Sequence, residues 1–102
     1  MRSYCQPLLE AELLADDQIE VPQTFNVGRC WGSFRTFQGL STFRELVDGR
    51  PEAVLGICAP EGATLLQYVR VFTDYADAHP ERLHEDWHHV AWTALARAFP
   101  CQ

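Results

Sequence analysis

The sequence lacks lysine: its eight basic residues are all arginines, against fourteen carboxylates, and the formal net charge is −6. An excess of negative charge disfavours binding to phosphate backbones and anionic lipids. No segment approaches the roughly 20 consecutive apolar residues of a membrane span. No charged start followed by an apolar run resembles a secretion signal, so we expect any signal peptide to have been removed already. We therefore predict no nucleic-acid or membrane partner, and the charge favours either a basic partner or simple solubility.

Period-two alternation and sequence repeats are also missing, which argues against a sheet protein or a repeat protein. The chain has 102 residues and an apolar fraction of 47%, enough for a single packed domain over residues 1–102. Apolar residues instead recur mainly at spacings of three and four, which is typical of helices. We predict an all-α fold, a small disulfide-stapled bundle of four main helices plus a short extra helix.

The four main helices are predicted from apolar spacing and capping residues. The first begins just after Pro7 and is followed by a loop that runs to Thr24. The second begins near Asn26, and the third follows a capping box at Thr64 and ends near Ala78. The fourth begins at Pro80, directly after the third, and packs against it as an antiparallel hairpin.

Two features of the second helix need a physical explanation. Its apolar stripe predicts core positions for Val27, Cys30, Trp31, Phe34 and Phe37. Gly28 and Gly32 lie inside the same helix, where each costs up to ~1 kcal/mol relative to alanine. We expect the close approach of another backbone to compensate for this cost.

The middle of the chain predicts less regular structure. A second capping box, Thr42 to Glu45, predicts the short extra helix, which Gly49 and Pro51 would end. The apolar run from Ala53 to Ile57 has the length of a strand. Because a single strand would have no pairing partner, we interpret this run as a buried extended strap.

Four widely spaced cysteines, with no C-x-x-C pair, predict two disulfides in an oxidising compartment. Cys58 precedes the third helix and Cys101 follows the fourth, so an antiparallel hairpin brings them to the same end. Cys5 and Cys30 lie near the starts of the two early helices and form the other predicted pair.

The segment from His84 to His88 fits the zinc-protease pattern H-E-x-x-H, with two imidazoles one helical turn apart. The extended form of the pattern fails, because Ala91 and Ala94 stand where glycine and histidine are needed. A catalytic zinc also requires a third protein ligand, which this chain does not offer. We therefore predict no metal, no cofactor and no catalytic residue.

Three parts of the chain together resemble a known family. They are Cys30-Trp31-Gly32, then Cys58-Ala59-Pro60 with Thr64 and Gln67, and last His79-Pro80-Glu81 with Leu83-His84, Ala94-Leu95 and Ala98-Phe99-Pro100-Cys101. Over about residues 27–101 the chain resembles the immunity proteins of the Tai/Rap family. Ser33 and Thr36 depart from the family pattern, where an aromatic residue and a glycine are expected.

The resemblance implies a non-enzymatic, helical, dimeric periplasmic protein. Its partner would be a peptidoglycan amidase effector of a type VI secretion system, a papain-like enzyme with catalytic cysteine and histidine, whose active site it would cover. The resemblance also implies that His79, Pro80, Glu81 and His84 form a structural corner between the last two helices. A competing interpretation is a periplasmic binding or chaperone-like module with another protein client.

A projecting loop would supply the anchors that enter the partner. The segment Asp48 to Glu52 is polar, contains a stiffening proline and lies between well-marked elements. We predict Asp48, Arg50 and Glu52 as partner-binding residues.

Overall fold

The computed structural model describes the backbone of residues 1–14 and 23–101, and the side chains of residues 1–10 and 23–101. Within these ranges the elements are α1 (Arg2–Leu14), α2 (Phe25–Leu40), β1 (Arg44–Val47), β2 (Arg50–Ala53), α3 (Leu65–Ala78), a 3-10 turn (Pro80–Arg82) and α4 (Trp87–Ala98). The predicted bundle of four main helices stapled by disulfides is confirmed as a mostly helical fold, but the short extra helix predicted from Thr42 does not form. The two strands form a small antiparallel hairpin, which the sequence analysis did not predict.

The third helix follows its prediction closely because its capping box forms as expected. The backbone N–H of Gln67 donates to Thr64 Oγ1 at 3.2 Å, and that of Thr64 donates to Gln67 Oε1 at 2.8 Å. These two bonds satisfy donors that the first turn leaves free. The buried face of α3 consists of Leu65, Tyr68, Val69, Phe72, Thr73 and Ala76.

The centre of the core is an aromatic cluster around Phe34 of α2, which is fully buried. Its ring centroid lies 5.3 Å from that of Phe72 on α3 and 5.6 Å from that of Trp87 on α4. Phe34 therefore joins three helices at one point. Trp31 is 37% exposed, so its predicted core position is wrong.

The first helix begins before Pro7, not after it as predicted. Cys5 and Leu8 on either side of the proline are fully buried. Pro7 lies inside the helix, where proline removes one backbone hydrogen bond and its ring crowds the carbonyl of Ser3; the burial of Cys5 and Leu8 offsets this cost. The predicted loop is described only at its end, where Thr24 caps α2 by accepting a hydrogen bond from the backbone N–H of Val27; residues 15–22 lie outside the described part.

Among the described residues, no other segment of the chain packs against Gly28 or Gly32 of α2. A methyl group placed on Gly28 or Gly32 would meet no atom within 4 Å. The predicted close backbone approach is therefore wrong within the described residues.

We expect Gly28→Ala and Gly32→Ala each to stabilise the folded chain by up to about 1 kcal/mol, because alanine restricts the unfolded chain and fits the open space. Urea denaturation of each variant beside the parent protein measures this change. Gly49→Ala is the matched control: this glycine has a φ of +79°, so alanine there should destabilise the protein. A loss of stability in both helix variants would contradict the open environment of these glycines.

The fourth helix begins at Trp87, not at Pro80 as predicted. The proline starts a single 3-10 turn instead, and Arg82 then donates two hydrogen bonds to the Glu85 carboxylate at 2.8 and 2.9 Å. This pair of hydrogen bonds holds residues 82–85 in a turn before α4 begins. His84 consequently lies outside the helix, and His84 and His88 are not one helical turn apart.

The two disulfides have the predicted pairing, Cys5 with Cys30 and Cys58 with Cys101. The first joins α1 to α2 in the core, where both cysteines are fully buried. The second joins the segment before α3 to the residue after α4, and Cys101 is exposed. In the described ranges no helix has both the length and the apolar character needed to cross a membrane.

Candidate functional site: an exposed hairpin on a fixed base

The segment predicted to begin a short helix at Thr42 is instead a β-hairpin with a two-residue turn. The predicted buried strap, Ala53 to Ile57, begins at the last residue of β2 and continues as a turn in which only Ile57 is buried. Asp48 has a φ of +53° and Gly49 a φ of +79°, values that give a type I′ turn between strands. Val47 pairs with Arg50 and Glu45 with Glu52. The Asp-Gly pair favours this turn, and its geometry overrides the weaker helix signal of the capping box at Thr42.

The hairpin carries several large apolar side chains that contact solvent. Leu46 is 77% exposed, and Phe43 at the base of β1 is 58% exposed. Val47 and Val54 are also exposed. Exposed apolar side chains on a small projecting element, here on both faces of the ribbon, are typical of a protein-binding surface. Leu46 and Val47 are not among the residues predicted to bind a partner, although their position beside the Asp-Gly pair is a signal for exposure at a turn.

One side of the hairpin base is held by a buried polar contact. Ser41 follows α2 and donates to the carbonyl of Gln38 at 2.8 Å. Its hydroxyl is also 2.8 Å from that of Tyr68 on α3, so the tyrosine donates this second bond. A satisfied buried network of this kind fixes its members in position. The first strand therefore leaves the core at a defined point.

The other side of the base is held by α4. The backbone N–H of Cys58 donates to the carbonyl of Phe99 at 2.8 Å, beside the Cys58–Cys101 disulfide. Ile57 is fully buried and forms an isolated bridge with Pro100. Trp92 donates its indole N–H to the carbonyl of Leu55. These contacts hold the segment after β2, from Leu55 to Cys58, against α4 and the residues that follow it.

The three predicted partner-binding residues lie on this one element. Asp48 is in the turn, Arg50 begins β2, and Glu52 stands opposite Glu45. All three are exposed. Arg50 and Glu52 also line a groove of about 410 Å³ between β2 and the Cys58–Cys101 disulfide. Their role in binding stays a prediction.

The predicted corner is a charged and aromatic network between α3 and α4. The imidazole of His79 stacks on Tyr75, with ring centroids 4.1 Å apart, and its Nδ1 lies 2.9 Å from Glu81 Oε1. This hydrogen bond lowers the pKa of Glu81 below its ordinary value. The hydrogen bonds from Arg82 lower the pKa of Glu85 in the same way. Both carboxylates are therefore ionised at neutral pH.

The histidines of the H-E-x-x-H segment do not form a metal-binding cluster in this arrangement. Both His84 and His88 are exposed. Over residues 1–10 and 23–101, whose side chains the structure describes, no group of three or more histidine, cysteine or carboxylate side chains is placed to hold a metal ion. The structural role predicted for His84 stays a prediction.

Comparison with known proteins gives a family match over most of the chain. Residues 36–101 match the family model described as Rap1a immunity proteins. The matched region contains the hairpin, α3, the corner, α4 and the Cys58–Cys101 disulfide. A search of curated proteins and a search of solved structures each found no match.

Proposed function

Because this chain belongs to the Rap1a immunity protein family, the immunity proteins of type VI amidase effectors, we propose that it binds one such amidase and covers the enzyme's active site. The family is non-catalytic, so protection comes from binding alone. The amidase would be a papain-like enzyme with a catalytic cysteine and histidine, and the protected substrate would be the peptidoglycan of the producing bacterium.

The observation that carries this proposal is the exposed hairpin on its fixed base. Leu46 and Val47 lie in β1 next to the Asp48-Gly49 turn, with both side chains exposed to solvent. Anchors of this kind supply most of the affinity of a protein interface, while charged residues around them set the association rate. In this proposal Leu46 and Val47 are the anchors, and Asp48, Arg50 and Glu52 belong to the charged rim.

The net charge and the disulfides support the remaining parts of the proposal. A protein of net charge −6 is steered towards a basic enzyme. Two disulfides are consistent with an oxidising compartment, and we place the protein in the periplasm, where peptidoglycan lies. We also propose a homodimer, which sedimentation velocity would show as a mass twice the 11.6 kDa of one chain.

Protection of the amidase cysteine from alkylation tests whether the active site is covered. We expect excess immunity protein to slow the reaction of iodoacetamide with the catalytic thiol of the purified amidase at least tenfold, because a covered cleft excludes the reagent. Intact-protein mass spectrometry follows the modification. The control is an amidase carrying an additional engineered cysteine outside the cleft, whose alkylation should be unchanged.

An unprotected catalytic thiol in a stable complex would contradict the proposal. The protein would then bind the amidase without covering its active site. Absence of any complex with the amidase would favour the competing interpretation, a binding module with another client.

A further inference from the structure

The two edges of the hairpin differ in their capacity to bind another strand. The two-residue turn makes Val47 and Arg50 a hydrogen-bonded pair, so Leu46 and Pro51 form the next, non-hydrogen-bonded pair. The bond from the N–H of Val54 to the carbonyl of Phe43, 3.1 Å, fits the same alternation. The backbone groups of Arg44 and Leu46 therefore point outward from β1, away from β2.

The outer edge of β2 is closed. Pro51 has no N–H to donate, and the carbonyl of Ala53 accepts a hydrogen bond from the N–H of Gly56 at 3.2 Å. Proline on an edge strand is a common way to prevent pairing with other chains. This edge of the hairpin is therefore protected against strand addition.

The outer edge of β1 is open. Within the described ranges, the outward backbone groups of Arg44 and Leu46 have no hydrogen-bond partner. The whole strand is exposed to solvent. An unpaired edge of this kind binds an extended segment through main-chain hydrogen bonds, as in β-augmentation.

Charge disfavours a second copy of this chain as the occupant. Antiparallel pairing through Arg44 and Leu46 of both copies would place Glu45 opposite Glu45 of the other copy. Because Glu45 already faces Glu52 across the hairpin, carboxylates would then extend in a row across all four strands. Like charges directly opposite one another destabilise a sheet. The same carboxylates favour a segment with a lysine or arginine at this position.

We propose that the outer edge of β1 binds an extended basic segment of the amidase, which adds to the hairpin as a third strand with a lysine or arginine opposite Glu45. This inference rests on the proposed function and identifies the chemistry of the surface that the hairpin contacts. Main-chain bonds to Arg44 and Leu46 would supply binding that does not depend on side chains. Glu45 and Glu52 would supply the selection for basic residues.

A comparison of Leu46→Pro with Leu46→Ala tests the main-chain bonds. Both variants lose the leucine side chain, but the proline also removes the N–H that points away from β2, while the bonds between β1 and β2 remain. We expect Leu46→Pro to bind the purified amidase domain of the same bacterium at least tenfold more weakly than Leu46→Ala, measured by calorimetry. Cross-strand NMR contacts between Val47 and Arg50 verify that the hairpin persists.

Charge reversal provides a second test that does not alter the backbone. We expect Glu45→Lys to weaken binding at least tenfold, whereas Glu61→Lys, an exposed carboxylate outside the hairpin, should leave the affinity within twofold. Equal affinity of the proline and alanine variants, or an unchanged affinity of Glu45→Lys, would overturn the inference. A change in self-association of Leu46→Pro without a change in amidase binding would assign the edge to a second copy. Persistent thiol protection in that case would leave the proposed function intact.

Discussion

Reduction of both disulfides is expected to unfold the protein or bring it to the point of unfolding at room temperature. The bonds close loops of 25 and 43 residues. In the loop-entropy description these closures stabilise the native state by about 3.5 and about 4 kcal/mol. The free energy of unfolding of a whole small domain is only about 5–15 kcal/mol. Loss of both bonds therefore removes a large fraction of the stability.

Circular dichroism melting with and without a phosphine reductant measures this effect. The paired variants Cys5→Ala with Cys30→Ala, and Cys58→Ala with Cys101→Ala, separate the two contributions. Cys5 and Cys30 are fully buried, whereas Cys101 is exposed, so mild reductant should open the Cys58–Cys101 bond first. An identical melting temperature in the oxidised and reduced protein would contradict the stabilising role of both bonds.

The helical part of the fold was predictable because its signals are local. The capping box at Thr64 and the spacing of Leu65, Val69 and Phe72 define α3 without knowledge of its neighbours. A capping box and this periodicity identify a helix from local sequence, and packing of the apolar face then supplies most of its stability. The hairpin packing of α3 and α4 then placed Cys58 near Cys101.

The hairpin was not predictable by the same reasoning. The capping-box letters from Thr42 to Glu45 indicate a helix start, but the Asp48-Gly49 pair adopts two consecutive positive φ values, which a helix cannot accommodate and a type I′ turn requires. A two-stranded ribbon also shows no alternation of burial when both faces contact solvent, as here. The period-two signal of a half-buried strand is therefore absent from β1 and β2.

The candidate site was located in part. Asp48, Arg50 and Glu52 were selected for polarity and position between elements, and they do lie on the projecting segment. The apolar residues Leu46 and Val47 were missed, because an apolar side chain in a predicted helix is assigned to the core. Their exposure depends on the path of the backbone, which the sequence pattern alone did not reveal.

Replacement of both Leu46 and Val47 by aspartate is expected to weaken function more than any other change. Because a buried apolar anchor contributes most of the interface affinity and a buried unpaired carboxylate is costly, Leu46→Asp with Val47→Asp should weaken amidase binding by roughly 100-fold or more. The helical body should keep its melting temperature, since both side chains contact solvent in the free protein. Arg50→Ala with Glu52→Ala is the matched variant on the charged rim, and it should lose less than tenfold.

Titration of the amidase against its peptidoglycan substrate, with the parent protein and with the Leu46→Asp, Val47→Asp variant, tests the central claim most directly. That claim is that a non-catalytic helical body inhibits the enzyme through its exposed hairpin. We expect the parent protein to abolish hydrolysis at one chain per amidase, and the folded variant to leave hydrolysis intact at the same ratio. Equal inhibition by both proteins, or full hydrolysis in the presence of excess parent protein, would contradict the account.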